Sequence, residues 1–273
     1  MKKFSTFTHW TTEFANQGVF DDINRLTAFD EWHKWPSPKA LQSLLPYEVQ
    51  NLNNKTIEFV PQRPDEDFSA VAYEEVVYQS GQVPTRSESW HDIFGAITWS
   101  LFPKTKAVLN KLHHDDIQTN GKSQRSKLRN ALTLFDECGV ILVTKNAGIT
   151  DLLANHQWHE AFVERRSNWF QAGEEGVCAY VFGHANYEML TKPFDGLTGK
   201  WLHIDMSAEL RSLPLNVQYR MIDEKLADKV LSGVLNDNSQ LSPLPLLGVP
   251  SWYDKNEDAD YYKNTDYFRP KRN

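Results

Sequence analysis

From residue 90 onward, apolar positions recur at three- and four-residue steps. Trp90, Ile93, Phe94, Ile97 and Leu101 fall on one face of a helix, and Ser87 or Ser89 is placed to cap its start. Pro103 stops that helix and opens another, since proline fits a first helical turn. Val108, Leu109 and Leu112 face inward along it. The polar run His113-His114-Asp115-Asp116 predicts its end, ahead of a turn at Asn120-Gly121. A third helix is expected from about Ser126 to Glu137, with Leu128, Leu132 and Phe135 inward and Gly139 placed as its C-terminal cap.

Between and beyond these helices the pattern shifts toward strands. Val140-Ile141-Leu142-Val143 reads as a buried strand, Gly176 to Phe182 as a second and Trp201 to Asp205 as a third. Thr150 caps a long predicted helix to about Phe170, Gly183 turns into a helix starting near His184, and Asn216 caps one reaching about Leu235. Upstream, Ile57 to Val60 reads as a short strand followed by a Pro- and Asp-rich turn. Tyr73 to Tyr78 fits either a helix or a strand, broken by Gly81 to Pro84. The expected fold is a single α+β domain over residues 1–273, predominantly helical with a small sheet. Residues 1–50 form an irregular aromatic-rich region, residues 86–205 the helix-rich core with short strands, and residues 242–273 an extended Pro/aromatic-rich C-terminal tail packed on the surface.

Composition narrows the function classes. Hydrophobic residues at 40% and aromatics at 12% of 273 residues exclude disorder for most of the chain. Net charge is −7 with Lys and Arg scattered, the densest run being Lys122 to Arg129, so broad nucleic-acid binding is not expected. Cys138 and Cys178 are too few for a disulfide framework and match no zinc spacing, which points to reduced thiols and a cytoplasmic protein. Met1 to Trp10 does not read as a signal peptide, and no apolar run approaches the roughly 18 residues a membrane span needs.

Candidate chemistry concentrates between Arg86 and Glu137. In Trp90-His91-Asp92, a histidine early in a helix sits at the positive end of the dipole, which favours the neutral imidazole of a metal ligand or general base. The plainer reading is a partly buried histidine beside a first-turn acid. His113-His114-Asp115-Asp116 offers one His and one Asp to an ion, or is simply a solvated helix terminus. Asp136-Glu137 stand in the last turn of a helix, where negative charge is disfavoured. They call for a partner such as Arg86, Arg125 or Arg129, a metal, or a raised pKa. His184, at a strand-to-helix turn, is a further candidate. His156-Gln157-Trp158-His159-Glu160 matches neither order of the metalloprotease motif, and no phosphate loop or nucleophile elbow is present.

At these residues the chain resembles a bacterial family known as domain of unknown function 3025. The resemblance rests on Val83-Pro84-Thr85-Arg86, Ser89-Trp90-His91-Asp92-Ile93-Phe94-Gly95-Ala96 and Phe102-Pro103-Lys104-Thr105-Lys106. It continues through Ala131 to Glu137, Phe182-Gly183-His184-Ala185, Pro243 to Pro250 and Tyr267-Phe268-Arg269-Pro270. It implies no assigned activity, but it makes the C-terminal tail part of the fold.

Two functional expectations follow from the residues. In the first, the chain is a metal-dependent or acid–base hydrolase of a small or phosphorylated substrate. Its catalytic candidates are His91, Asp92, Asp136, Glu137 and His184, its substrate-binding candidates Arg86 and Trp90, and a divalent metal is held by His91, His114 and Asp136. In the second, it is a non-catalytic interaction or adaptor protein in which the same residues form a buried hydrogen-bonded network.

Overall fold

The central sheet is assembled from pieces far apart in the chain. A computed structural model describes residues 6–63, 72–123 and 125–271. The N-terminal part holds α1 (Asp21–Thr27), α2 (Pro38–Gln42), β1 (Glu58–Pro61), α3 (Tyr73–Ser80) and β2 (Gln82–Thr85). The helical centre holds α4 (Trp90–Leu101), α5 (Pro103–Asn120) and α6 (Lys127–Cys138), followed by β3 (Gly139–Thr144), α7 (Ala147–Ala154) and β4 (Val177–Val181). The last part holds α8 (His184–Leu190), β5 (Thr198–Asp205), α9 (Leu215–Leu231) and β6 (Ser242–Pro245). Four strands form a mixed sheet in the order β4-β3-β5-β6, with only the β3–β5 pair parallel. β1 and β2 make a separate parallel pair. This is the α+β class the sequence predicts. Most of the Pro- and Asp-rich turn, from Pro64 on, and Met1 to Ser5 lie outside the described residues.

The predicted helix starts are accurate where a side chain caps locally. The Ser89 hydroxyl accepts from the Asp92 amide and Ser126 from Arg129, as the sequence suggests. Gly139 follows α6 directly, but in extended backbone (φ −66°, ψ 141°), so it opens β3 and does not form a left-handed cap. α7 is capped by Asn146 rather than Thr150 and stops at Ala154, because His156 takes a left-handed conformation (φ 57°). A single π turn at Glu160–Glu164 is what remains of the long helix expected there. α9 begins after Pro214 rather than at Asn216.

The largest departure is α5, which runs through His113-His114-Asp115-Asp116 to Asn120. These residues are not a solvated terminus, because His113 and Asp116 are buried. Asp116 pairs with Arg129 of α6 at 3.4 Å, and the Arg129 guanidinium also donates to the Gly121 and Lys122 carbonyls at 2.8 and 3.1 Å. The start of α5 is capped in trans by Asp223 of α9, which accepts from the Lys104 and Thr105 amides at 2.9 and 2.8 Å.

The N-terminal aromatics and the C-terminal tail both contribute side chains to the core. Trp10, Phe14 and Trp35 surround Trp90 with ring centroids 4.8, 5.3 and 4.7 Å away, so the N-terminal aromatics form one wall of α4. The tail is more deeply seated than an element laid on the surface. β6 extends the sheet, and Leu244, Leu246, Leu247 and Val249 are fully buried. The Tyr267 hydroxyl accepts from the Leu247 amide at 2.9 Å and donates to the Leu197 carbonyl at 2.6 Å. Among the described residues no helix is long and apolar enough to cross a membrane.

Candidate metal centre

Three helix ends meet beside one cavity. His91 stands in the first turn of α4, Glu137 in the last turn of α6, and His184 opens α8. Gly183 makes this meeting possible. A Cβ at Gly183 would lie 2.4 Å from the Glu137 carbonyl oxygen and 2.6 Å from the Cys138 amide nitrogen, so only glycine lets α8 start against the end of α6. The outcome is that His91, Glu137 and His184 offer ligand atoms that all lie within 4.8 Å of one another.

The shorter distances define the geometry. Nε2 of His184 is 3.0 Å from Nε2 of His91 and 3.6 Å from Oε2 of Glu137. A divalent ion with bonds of about 2.0–2.1 Å in tetrahedral geometry separates its ligands by about 3.3 Å, so the observed spacings bracket what such an ion requires. One of the two histidines is hydrogen-bonded to a carboxylate behind it. His91 Nδ1 donates to Glu188 of α8 at 3.2 Å, which leaves its Nε2 lone pair facing the cluster. His184 Nδ1 lies 3.9 Å from Asp136 Oδ2, and that buried nitrogen has no hydrogen-bond partner among the described residues.

The Asp136-Glu137 pair divides into two environments. Burial alone pushes the Asp136 carboxyl up, but the Lys106 ammonium 2.6 Å away and His184 outweigh it and hold Asp136 below the usual range. Burial also acts on Glu137, with less compensation, and its pKa is raised. Adjacent carboxylates pushed apart in this way divide naturally into different roles. The partner of Asp136 is therefore Lys106 and none of the three arginines expected. Arg129 turns to Asp116, and Arg86 forks onto Asp92 through Nε and Nη2 at 3.0 and 2.6 Å. At His91 the expectation from the helix dipole is reversed. Burial lowers its pKa, but the Glu188 hydrogen bond and the charge of Glu137 prevail, and the net shift is upward. At His184 burial dominates and pushes the pKa down to about 4.

The cavity has a volume of about 340 Å³ and is lined by Arg86, His91, Asp92, Lys106, Asp136, Glu137 and His184, together with apolar groups from β2 and α4. Other predicted site residues fall elsewhere. His114 stacks on Tyr78 with centroids 4.0 Å apart and does not line the cavity, so it is not among the converging ligands. Trp90 is 2% exposed within the N-terminal aromatic cluster, which makes it a packing residue rather than a substrate contact. Asp92 is occupied by Arg86 and by the Arg86 amide at 2.6 Å. Asp136, expected as a metal ligand, faces Lys106, and Glu137, expected as a catalytic carboxylate, is the one that lies beside His91 and His184. Sequence reasoning missed Lys106 and Glu188. Nothing local marks Lys106, whereas Glu188 stands four residues after His184 on the same helix face and was open to a reading by spacing.

These features define an α+β protein with a partly buried two-histidine, one-carboxylate cluster lining a polar cavity. The chain belongs to the family described as protein of unknown function (DUF3025), whose model matches residues 57–272 and so spans every residue of the cluster. No curated protein and no solved structure matches it.

Proposed function

We propose that this chain is a metal-dependent hydrolase of a small substrate, with His91, Glu137 and His184 holding one divalent ion. The reading is carried by the convergence of two imidazole nitrogens and one carboxylate, on three different helices, beside a cavity. His91, Glu137 and His184 would hold the ion, which would supply a water acidified toward neutral pH and polarise a carbonyl or phosphoryl centre of a substrate in the cavity. A mixed nitrogen and oxygen donor set suits zinc, manganese or iron. Of the two substrate forms expected from sequence, the small-molecule form has more support than the phosphorylated one. Both cations of the wall are already matched, Arg86 by Asp92 and Lys106 by Asp136.

The non-catalytic reading draws on one specific observation. The 3.0 Å contact between the two Nε2 atoms is also a hydrogen bond if one ring carries the proton, which would satisfy the pair as a structural network. Elemental analysis of the purified full chain separates the two. The hydrolase reading expects about one equivalent of metal, lost in His91→Ala and Glu137→Gln with far-ultraviolet circular dichroism unchanged. It also expects metal-dependent cleavage of p-nitrophenyl ester or phosphodiester probes that disappears in both variants. Metal-free wild type that takes up no zinc, manganese or iron, with both variants destabilised, would leave the structural network as the reading.

A further inference from the structure

His91, Gly95 and Trp99 stand at successive i, i+4 positions of α4, and all three line the cavity. The middle one is out of keeping with its place. A glycine inside a helix is destabilising by roughly 1 kcal/mol relative to alanine. The usual structural reasons for glycine do not apply, since Gly95 has no positive φ and a Cβ there would meet no atom of the described residues within 4 Å. Gly183 differs in kind, because its Cβ would strike backbone. What the missing side chain at position 95 preserves is open cavity, one helical turn of about 5.4 Å beyond His91.

The surroundings of that space are mixed, with a few apolar residues among many polar ones. Val83 and Pro84 of β2 and Ala96 and Trp99 of α4 contribute to the wall. Its cations are matched, and a divalent ion would balance the two remaining charges of Glu74, Asp92, Asp136 and Glu137, so no cation of the wall is left over for an anionic arm. An uncharged, ring-sized group needs only the space that Gly95 leaves open.

We infer that Gly95 is a specificity-determining residue, keeping open a subsite for an uncharged, ring-sized arm of a substrate whose head binds the metal at His91, Glu137 and His184. The inference rests on the metal-hydrolase reading and adds the substrate class to it.

The test uses the full chain loaded with Co(II), whose visible absorption reports both the ion and its ligands. Acetohydroxamate and benzohydroxamate carry the same metal-binding head, and only the second carries a ring. Wild type should bind benzohydroxamate more tightly than acetohydroxamate by about tenfold or more. Gly95→Leu should remove that preference while leaving acetohydroxamate affinity within about threefold. Gly95→Ala should unfold at the same or a higher temperature than wild type. If Gly95→Leu binds Co(II) and keeps the benzohydroxamate preference, or if Gly95→Ala lowers the unfolding temperature, the subsite is wrong while the metal site stands. If wild type gives no Co(II) spectrum, or His91→Ala gives the same one, the metal reading itself fails and the subsite with it.

Discussion

At Asp136 the decisive neighbour is Lys106, and this single contact sets its environment apart from that of Glu137. Both members of the pair are largely buried, so removing the ammonium leaves a charge with no compensation. Lys106→Met should lower unfolding free energy by about 3–5 kcal/mol in urea titration, and combining it with Asp136→Leu should recover most of the loss. A single variant as stable as wild type would mean that the pair does not matter. Glu188 acts differently, by fixing which nitrogen of His91 carries the proton. Glu188→Gln should weaken metal binding by about 10–100-fold in competition with a chelating indicator while the fold is kept, and unchanged affinity would deny it that role. The thiols are inert by burial: Cys138 is pushed up to about 11 and Cys178 to about 12. At pH 8 the thiolate fraction of either is about one in a thousand or less. Iodoacetamide should therefore label neither thiol in the native protein and both in guanidinium, as read by mass spectrometry. What was legible here was residue type and local position: Glu137 drew attention because a carboxylate sits badly at the end of a helix. His91 and His184 were candidates beside it, but their convergence on Glu137 was not legible, because they come from other helices and only tertiary packing brings them in.

Among the elements, the sequence was most informative where the governing interaction is local. Ser89 and Ser126 lie three residues from the amides they cap, and both helix starts were found. The start of α5 was found for its proline, but its main support comes from Asp223, well over a hundred residues away. No local pattern could show that. Asp223→Ala should cost about 2 kcal/mol in equilibrium unfolding, since two amides of the first turn lose their acceptor, while Asp223→Asn should retain part of the cap. Equal stability of the Ala variant and wild type would show that water replaces the cap freely. The same distinction accounts for the misses. His113 to Asp116 resembled a helix end because the run is polar throughout, although Asp116 is buried against Arg129 and His114 stacks on Tyr78. β2 was not anticipated, since Pro84 argues against a strand. It is tolerated in a strand that pairs on one side only.

At the scale of the whole molecule, the N-terminal aromatics and the C-terminal tail both contribute to the core but stand in different relations to the cluster. The N-terminal aromatics lie before the family match at residues 57–272, yet they enclose Trp90, the residue next to His91. The tail lies within the match and is fastened through Tyr267 to Leu197 and Leu247, none of which lines the cavity. If α4 is held in place by the N-terminal layer, loosening that layer should act on the metal as well as on stability. Trp10→Ala removes a ring stacked on Trp90 and should cost about 3 kcal/mol. Tyr267→Phe leaves a buried amide and a buried carbonyl without their shared hydroxyl and should cost about 1–3 kcal/mol. The discriminating measurement is the stability gained on adding metal, which for the wild type at a hundredfold excess over Kd is about 2.7 kcal/mol. That gain should shrink in Trp10→Ala, because a displaced His91 binds more weakly, and stay unchanged in Tyr267→Phe. Equal gains in the two variants would mean that the N-terminal layer contributes to the fold and nothing to the site. A smaller gain in Trp10→Ala alone would make the N-terminal layer part of the structure that positions His91.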